Sequence, residues 1–139
     1  MIIELRDDLK VDEYNKLRKS IGWDVKEANL VEDAIQRSTI VKKAMIHNEV
    51  VGMARVIGDG IYYLIVDVVV RLEYQKNGIG KKIIDAITSE VESRTKEGQT
   101  SSINLVSMNG KEAFYEKCGF EKIPMGYTGY GMIKRIKKV

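Results

Sequence analysis

From Ile61 to Val70 the chain reads Ile-Tyr-Tyr-Leu-Ile-Val-Asp-Val-Val-Val, β-branched or aromatic at every position except Leu64 and Asp67. Such side chains are stiff and fit a pleated surface, so the run predicts a β-strand. It lacks the polar alternation of a half-exposed strand, which predicts a central strand covered on both faces. That cover in turn requires helices on both sides of a sheet.

The flanking segments supply the other elements. Ile40–Ile46 and Val50–Ile57 read as strands joined across the polar turn His47-Asn48-Glu49, and Gly58-Asp59-Gly60 makes the next turn. Upstream, Ile2–Leu5 reads as a short strand. Asp12–Ile21 follows as a helix with Tyr14, Leu17 and Ile21 on one stripe. A second helix is expected to start at Asn29, capped with Glu32, and to bury Leu30, Ala34 and Ile35 before Ser38. Downstream, Ile79 to about Lys96 places Ile79, Ile83, Ile84, Ile87 and Val91 on one helical face. Ser102–Val106 reads as a strand, and Asn109 with Glu112 should cap a short helix ending at Gly119. Phe120–Ile123 and Met132–Ile136 are expected as two final strands. The expected fold is α+β: a mixed, largely antiparallel sheet with helices on both faces, in the order β-α-α-β-β-β-α-β-α-β-β.

Length and composition narrow the function. At 139 residues, one domain spanning 1–139 is expected. No apolar run reaches the roughly 18 residues that cross a bilayer, so no membrane role is expected. Glu4, Arg6, Asp7 and Asp8 interrupt any signal-peptide core, which makes the cytoplasm the expected compartment. One cysteine, Cys118, and one histidine, His47, exclude an internal disulfide and leave no Cys/His set for a metal. The net charge of +3 is too mild to demand nucleic acid, despite Lys134, Arg135, Lys137 and Lys138 near the end. Edge strands at either end of a sheet leave room for a homodimer.

Chemistry concentrates between the central strand and the long helix. Gly78 and Gly80 remove side chains where a ligand would approach the backbone, and Asn77 to Lys81 open a helix whose first N–H groups lack intrahelical acceptors. These donors and the positive end of the helix dipole suit a phosphate, with Lys76, Lys81 and Lys82 adding charge. A Walker A loop would need Ser or Thr where Lys82 stands, and a dinucleotide fingerprint would need Gly or Ala at Ile83.

Gln75-Lys76-Asn77-Gly78-Ile79-Gly80 resembles the acetyl-CoA motif of the GNAT acetyltransferases, Gln/Arg-x-x-Gly-x-Gly/Ala. Asp67-Val68-Val69-Val70 with Tyr74 resembles that family's fourth strand and its lead into the pyrophosphate loop. Tyr115-Glu116-Lys117-Cys118-Gly119-Phe120 resembles its later Tyr-x-x-x-Gly-Phe motif. The element order also matches, so the resemblance spans nearly the whole chain.

The resemblance implies transfer of an acetyl group from acetyl-CoA to a primary amine by direct attack in a ternary complex. It implies that the main chain of Val68, Val69 and Val70 pairs with the pantetheine arm. Gln75 and the N–H groups of Lys76, Asn77, Gly78, Ile79, Gly80 and Lys81 would hold the pyrophosphate. A backbone N–H near Val69 would face the thioester oxygen, and Tyr115 would protonate the departing thiolate. No metal is implied.

Where polyamine acetyltransferases of the family carry a glutamate base, this chain has Val66. Asp67 is then either a base working through water or a structural acceptor. Asn109 lies six residues before Tyr115 rather than the family's seven, which favours a helix cap over a CoA ligand. The acceptor is a small-molecule or peptide amine that no cluster in the sequence identifies. An acyl-CoA-binding or regulatory module without turnover is the alternative.

Overall fold

A computed structural model describes residues 1–138. The elements are β1 (Glu4–Arg6), α1 (Val11–Ser20), α2 (Ala28–Arg37), β2 (Ile40–Ile46), β3 (Glu49–Gly58), β4 (Tyr62–Val70), α3 (Ile79–Arg94), β5 (Ser102–Leu105) and α4 (Glu112–Lys117). The strands form one sheet in the order β1-β2-β3-β4-β5. Its first three pairings are antiparallel and β4–β5 is parallel. The mixed α+β fold with a largely antiparallel sheet is the one the patterning predicts.

Alternation along β3 shows why both faces are covered. Met53 joins Leu9, Tyr14, Leu17, Val31 and Val69 in a buried cluster beneath α1 and α2. Its neighbour Gly52 faces the opposite way, toward Ile79 and Ile83 of α3. All five apolar residues expected on the inner face of α3 are buried. Each is worth about 1.5–3 kcal/mol, which far outweighs the roughly 1 kcal/mol that Gly80 costs as a helical residue.

The hairpin between β2 and β3 turns on His47 and Asn48, with φ of 50° and 63°. Positive φ at both central residues is what a two-residue type I′ hairpin turn requires. Among the described residues, no helix is long and apolar enough to cross a membrane.

Four expectations are corrected. Helix α2 begins one residue before Asn29 and is capped by Glu27, whose carboxylate accepts from the Asn29 N–H at 3.2 Å. The start shifts the buried stripe, so Val31 is buried while Leu30 is exposed. Cover on β4 is one-sided in its first half: Tyr63 and Ile65 are buried, Tyr62 and Leu64 exposed.

The remaining two concern the C-terminal part. Asn109 does not cap α4; the N-cap is Lys111 without a side-chain bond, and Glu112 instead accepts from the Gly110 N–H at 2.8 Å. Neither Phe120–Ile123 nor Met132–Ile136 is a strand. Gly119 and Pro124 confine the first to four residues, and proline removes a ladder donor. The second reads apolar-apolar-polar-polar-apolar, which gives no continuous face at period two.

By its contacts the chain divides into two compact units, Met1–Leu105 and the residues from Val106 onward. The sheet and α1–α3 belong to the first, and α4 belongs to the second.

Candidate active site

Strand β4 is two different strands in succession. Over Tyr62–Ile65 it pairs with β3 on one side and with Ser102–Leu105 of β5 on the other. The β5 pairing stops at Ile65, while β4 continues to Val70 beside β3. Within the first unit the outer edge of Val66–Val70 therefore has no strand neighbour. Arg71 N–H donates to Val51 O at 2.9 Å, so alternation sends the Val69 N–H toward β3 and the N–H and C=O of Val70 to the open side. The Val70 carbonyl there accepts Gln75 Nε2 at 2.9 Å. Gln75 thus braces the strand edge with its side chain.

The turn after β4 prepares the helix start. Lys76 has φ of 65° and Gly78 has φ of 79°. Left-handed residues between ordinary ones turn successive N–H groups toward one side, as in anion-binding concavities. Asn77 Nδ2 donates to Tyr74 O at 3.0 Å and Gln75 O at 3.2 Å, so its side chain ties the loop together.

Gly78 is the N-cap of α3 and offers no side chain to the N–H groups that follow. The first helical bond runs from Lys82 N–H to Gly78 O at 3.0 Å, so the N–H groups of Ile79 and Gly80 have no intrahelical acceptor. A Cβ at Gly78 would meet nothing within 4 Å, so its φ rather than crowding demands glycine. Lys81 is paired with Asp85 at 2.6 Å.

Gly52 is a site residue the sequence reading missed. A Cβ there would lie 3.1 Å from Val69 O and 3.2 Å from Ile83 Cδ1. Its hydrogen lets the first turns of α3 lie against β3 and β4.

Asp67 is also placed differently from a base. It accepts from Tyr14 Oη at 2.7 Å, Arg55 Nε at 2.8 Å and Arg18 Nη1 at 3.3 Å. Its side chain is only 13% exposed. Burial first, and then the bond to Asp67, push the Tyr14 phenol above its ordinary value, so it stays a neutral donor. With donors on both oxygens, Asp67 is a structural acceptor, though for distant side chains rather than for neighbouring backbone. A lone Arg55 in one apolar strand and a lone Asp67 in the next was the available signal, because opposite charges across an antiparallel pair attract.

Tyr115 lies on α4, in the second unit. Gly119 (φ 94°) ends that helix, with Gly119 N–H on Glu116 O at 3.0 Å and Phe120 N–H on Tyr115 O at 3.1 Å, the Schellman-type close expected of Phe120. Phe114 and Phe120 stand edge-on to the Tyr115 ring at 5.0 and 6.1 Å. Burial, then the charge of Cys118, push the phenol upward, so it is protonated at neutral pH. The strand edge and the loop residues Gln75–Lys81 are thus contiguous in one unit, whereas Tyr115 belongs to the other.

An open strand edge running into an uncapped helix start suits a ligand with both amide and phosphate groups. A family model for the acetyltransferase (GNAT) domain matches residues 36–122, which include β2–β5 and α3–α4. The chain belongs to the GNAT acetyltransferase family. Membership makes it an acetyl-CoA-dependent N-acetyltransferase, the activity general to GNAT enzymes.

An uncharacterised N-acetyltransferase of Pyropia yezoensis, ycf52, is 29% identical over 127 residues, covering 88% of this chain and 71% of that protein. A probable acetyltransferase of unknown function from meticillin-resistant Staphylococcus aureus superposes with a TM-score of 0.80 at 25% identity, over 96% of this chain and all of that one. An aminoglycoside 6'-N-acetyltransferase solved with coenzyme A shares the fold at a TM-score of 0.67 and 21% identity, over 86% of this chain and 84% of its own.

Proposed function

We propose that this GNAT enzyme acetylates a primary amine of a small molecule or peptide by direct attack in a ternary complex, with residues 1–139 acting as one catalytic domain in the cytoplasm. The observation that carries the reading is the edge of β4, left unpaired beyond Ile65 and leading into an uncapped α3.

Acetyl-CoA supplies the acetyl group as a thioester, whose carbonyl carbon the amine attacks. The outward main-chain groups of Val68–Val70 are suited to pair with the amides of the pantetheine arm, as an added strand would. N–H groups from Lys76 to Lys81 would hold the pyrophosphate, with Lys76 and Lys82 adding positive potential. The coenzyme A bound to the aminoglycoside acetyltransferase of this fold supports that assignment. An outward N–H of the Val68–Val70 edge would stabilise charge developing on the carbonyl oxygen.

Tyr115 would return a proton to the departing sulfur. Moving a proton from a phenol near 10 to a thiol near 8.5 is uphill by about 2 kcal/mol, and the upward shift of Tyr115 adds to that. A thiolate leaving in a water-poor site is more basic than in water, which offsets the difference. Because Asp67 is occupied by donors, the proton lost by the incoming ammonium passes to water.

Thiol release measured across an amine panel tests the reading, and it should depend on acceptor. Tyr115→Phe should lower kcat by about 10²–10³-fold, within the range for a general acid, and leave acetyl-CoA affinity within about threefold. Full activity in that variant removes the assigned acid, and absence of any affinity for CoA removes the whole reading.

A further inference from the structure

We infer that Asp67 is a positioning residue: its carboxylate, gripped by Arg18, Arg55 and Tyr14, holds the kink in β4 that directs the Val68–Val70 edge toward the acyl donor. The inference rests on the proposed acyl-CoA site and adds the side chains that shape it.

The kink is visible in the register. Arg55 pairs with Val66 and Met53 with Val69, so Asp67 and Val68 together oppose the single residue Ala54. This is a β-bulge, and bulges re-aim a strand and increase its twist. It begins two residues beyond Ile65, the last β4 residue paired with β5. The strand leaves its parallel neighbour just before the bulge begins.

Asp67 occupies the bulge with φ of 55°, a conformation that glycine adopts without cost. For a residue with a Cβ the left-handed region is disfavoured by roughly 1–2 kcal/mol, less for Asp and Asn. Evidently something outside the strand holds the carboxylate there. Both of its oxygens are gripped from α1 and β3, by the Tyr14, Arg18 and Arg55 bonds described above.

Each arginine is itself anchored. Arg18 Nε donates to Asp24 O at 2.6 Å and its guanidinium lies 5.2 Å from the Trp23 ring centroid. Arg55 Nη1 donates to Ser38 Oγ at 3.3 Å, at the end of α2. The bulge is therefore pinned to α1, α2 and β3 at once. Glycine would satisfy φ and lose every one of these ties, which gives aspartate a reason to be there.

The test uses the full chain labelled with ¹⁵N and titrated separately with CoA and acetyl-CoA, following the amides of Val68–Val70 and of Ile79 and Gly80. In the unaltered protein the helix-start amides should respond to both ligands. The strand amides should respond more strongly to acetyl-CoA. Asp67→Gly should keep the helix-start response to both ligands, lose most of the response at Val68–Val70, and bind acetyl-CoA about tenfold more weakly, as for one lost hydrogen bond. Asp67→Asn, which tolerates the left-handed conformation and keeps one acceptor oxygen, should recover most of the response.

An Asp67→Gly protein with unchanged strand responses overturns the inference. So does one in which helix-start and strand responses vanish together, since that is a packing defect rather than lost aim. If Asp67→Gly does not fold, Asp67→Asn carries the test: a partial loss confined to Val68–Val70 supports positioning and no loss overturns it. A silent helix start in the unaltered protein instead sinks the underlying acyl-CoA reading, and the inference with it.

Discussion

The loop after β4 and the bulge within it lie a few residues apart and are built in opposite ways. From Gln75 to Gly80 the structure presents main-chain N–H groups, shaped by two left-handed residues and tied by short-range bonds from Gln75 and Asn77. At Asp67 the backbone is disfavoured, and side chains from positions 14, 18 and 55 hold it. A site made of backbone needs particular residues only where φ demands them. A site made of side chains needs each partner delivered by the fold.

That contrast predicts unequal sensitivity. Arg55→Met should have the largest effect on stability. Removing one partner of a buried ion pair costs about 3–5 kcal/mol, and at 15% exposure with Arg18 retained we expect about 2–3 kcal/mol, read as a lower urea midpoint. A loss under about 0.5 kcal/mol, the scale of an ordinary surface substitution, would show that the bulge does not depend on its side-chain ties. Gly78→Ala should cost about 1–2 kcal/mol through its φ and weaken CoA binding about tenfold by calorimetry. If CoA affinity is retained there, the loop conformation is not what grips the pyrophosphate.

Removing charge around the loop should matter less. Lys76→Ala combined with Lys82→Ala should weaken CoA by about two- to fivefold at low salt, with the difference shrinking as ionic strength rises. An effect that ignores salt would contradict a purely electrostatic role. The smallest change at neutral pH should come from Tyr14→Phe, and it should acquire a pH signature. The Tyr14 phenol titrates higher folded than unfolded, so its contribution is complete below the unfolded value near 10 and is lost as pH rises through the folded one. Thermal melts should show a shallower loss above about pH 10 in the phenylalanine variant. Parallel melting curves would detach the hydroxyl from the clamp.

The same contrast explains what could be read in advance. Ile79, Ile83, Ile84, Ile87 and Val91 announce one face of α3 because helical spacing is local, and all five are buried. The Gln75–Gly80 loop was legible because its glycines and its position between a strand and a helix are local too. Asp67 was seen as a lone carboxylate, but its occupation by Tyr14 and Arg18 was invisible, since 53 and 49 residues separate those pairs. Gly52 was missed because its requirement comes from Val69 and Ile83 across the sheet. The two expected last strands failed because β-propensity alone proposed them: Gly119 and Pro124 bound the first too closely, and the second has no continuous face at period two.

By itself the sequence determined the order of elements through β5, the apolar face of α3 and the glycine-bearing helix start, since each follows from spacing within a dozen or so residues. Tertiary structure alone decided where β4 parts from β5, which side chains hold Asp67 left-handed, and why position 52 lacks a Cβ. Those features are contacts between segments distant in the chain, and such contacts acquire their energy only when the sheet has assembled and water has been excluded from between its layers.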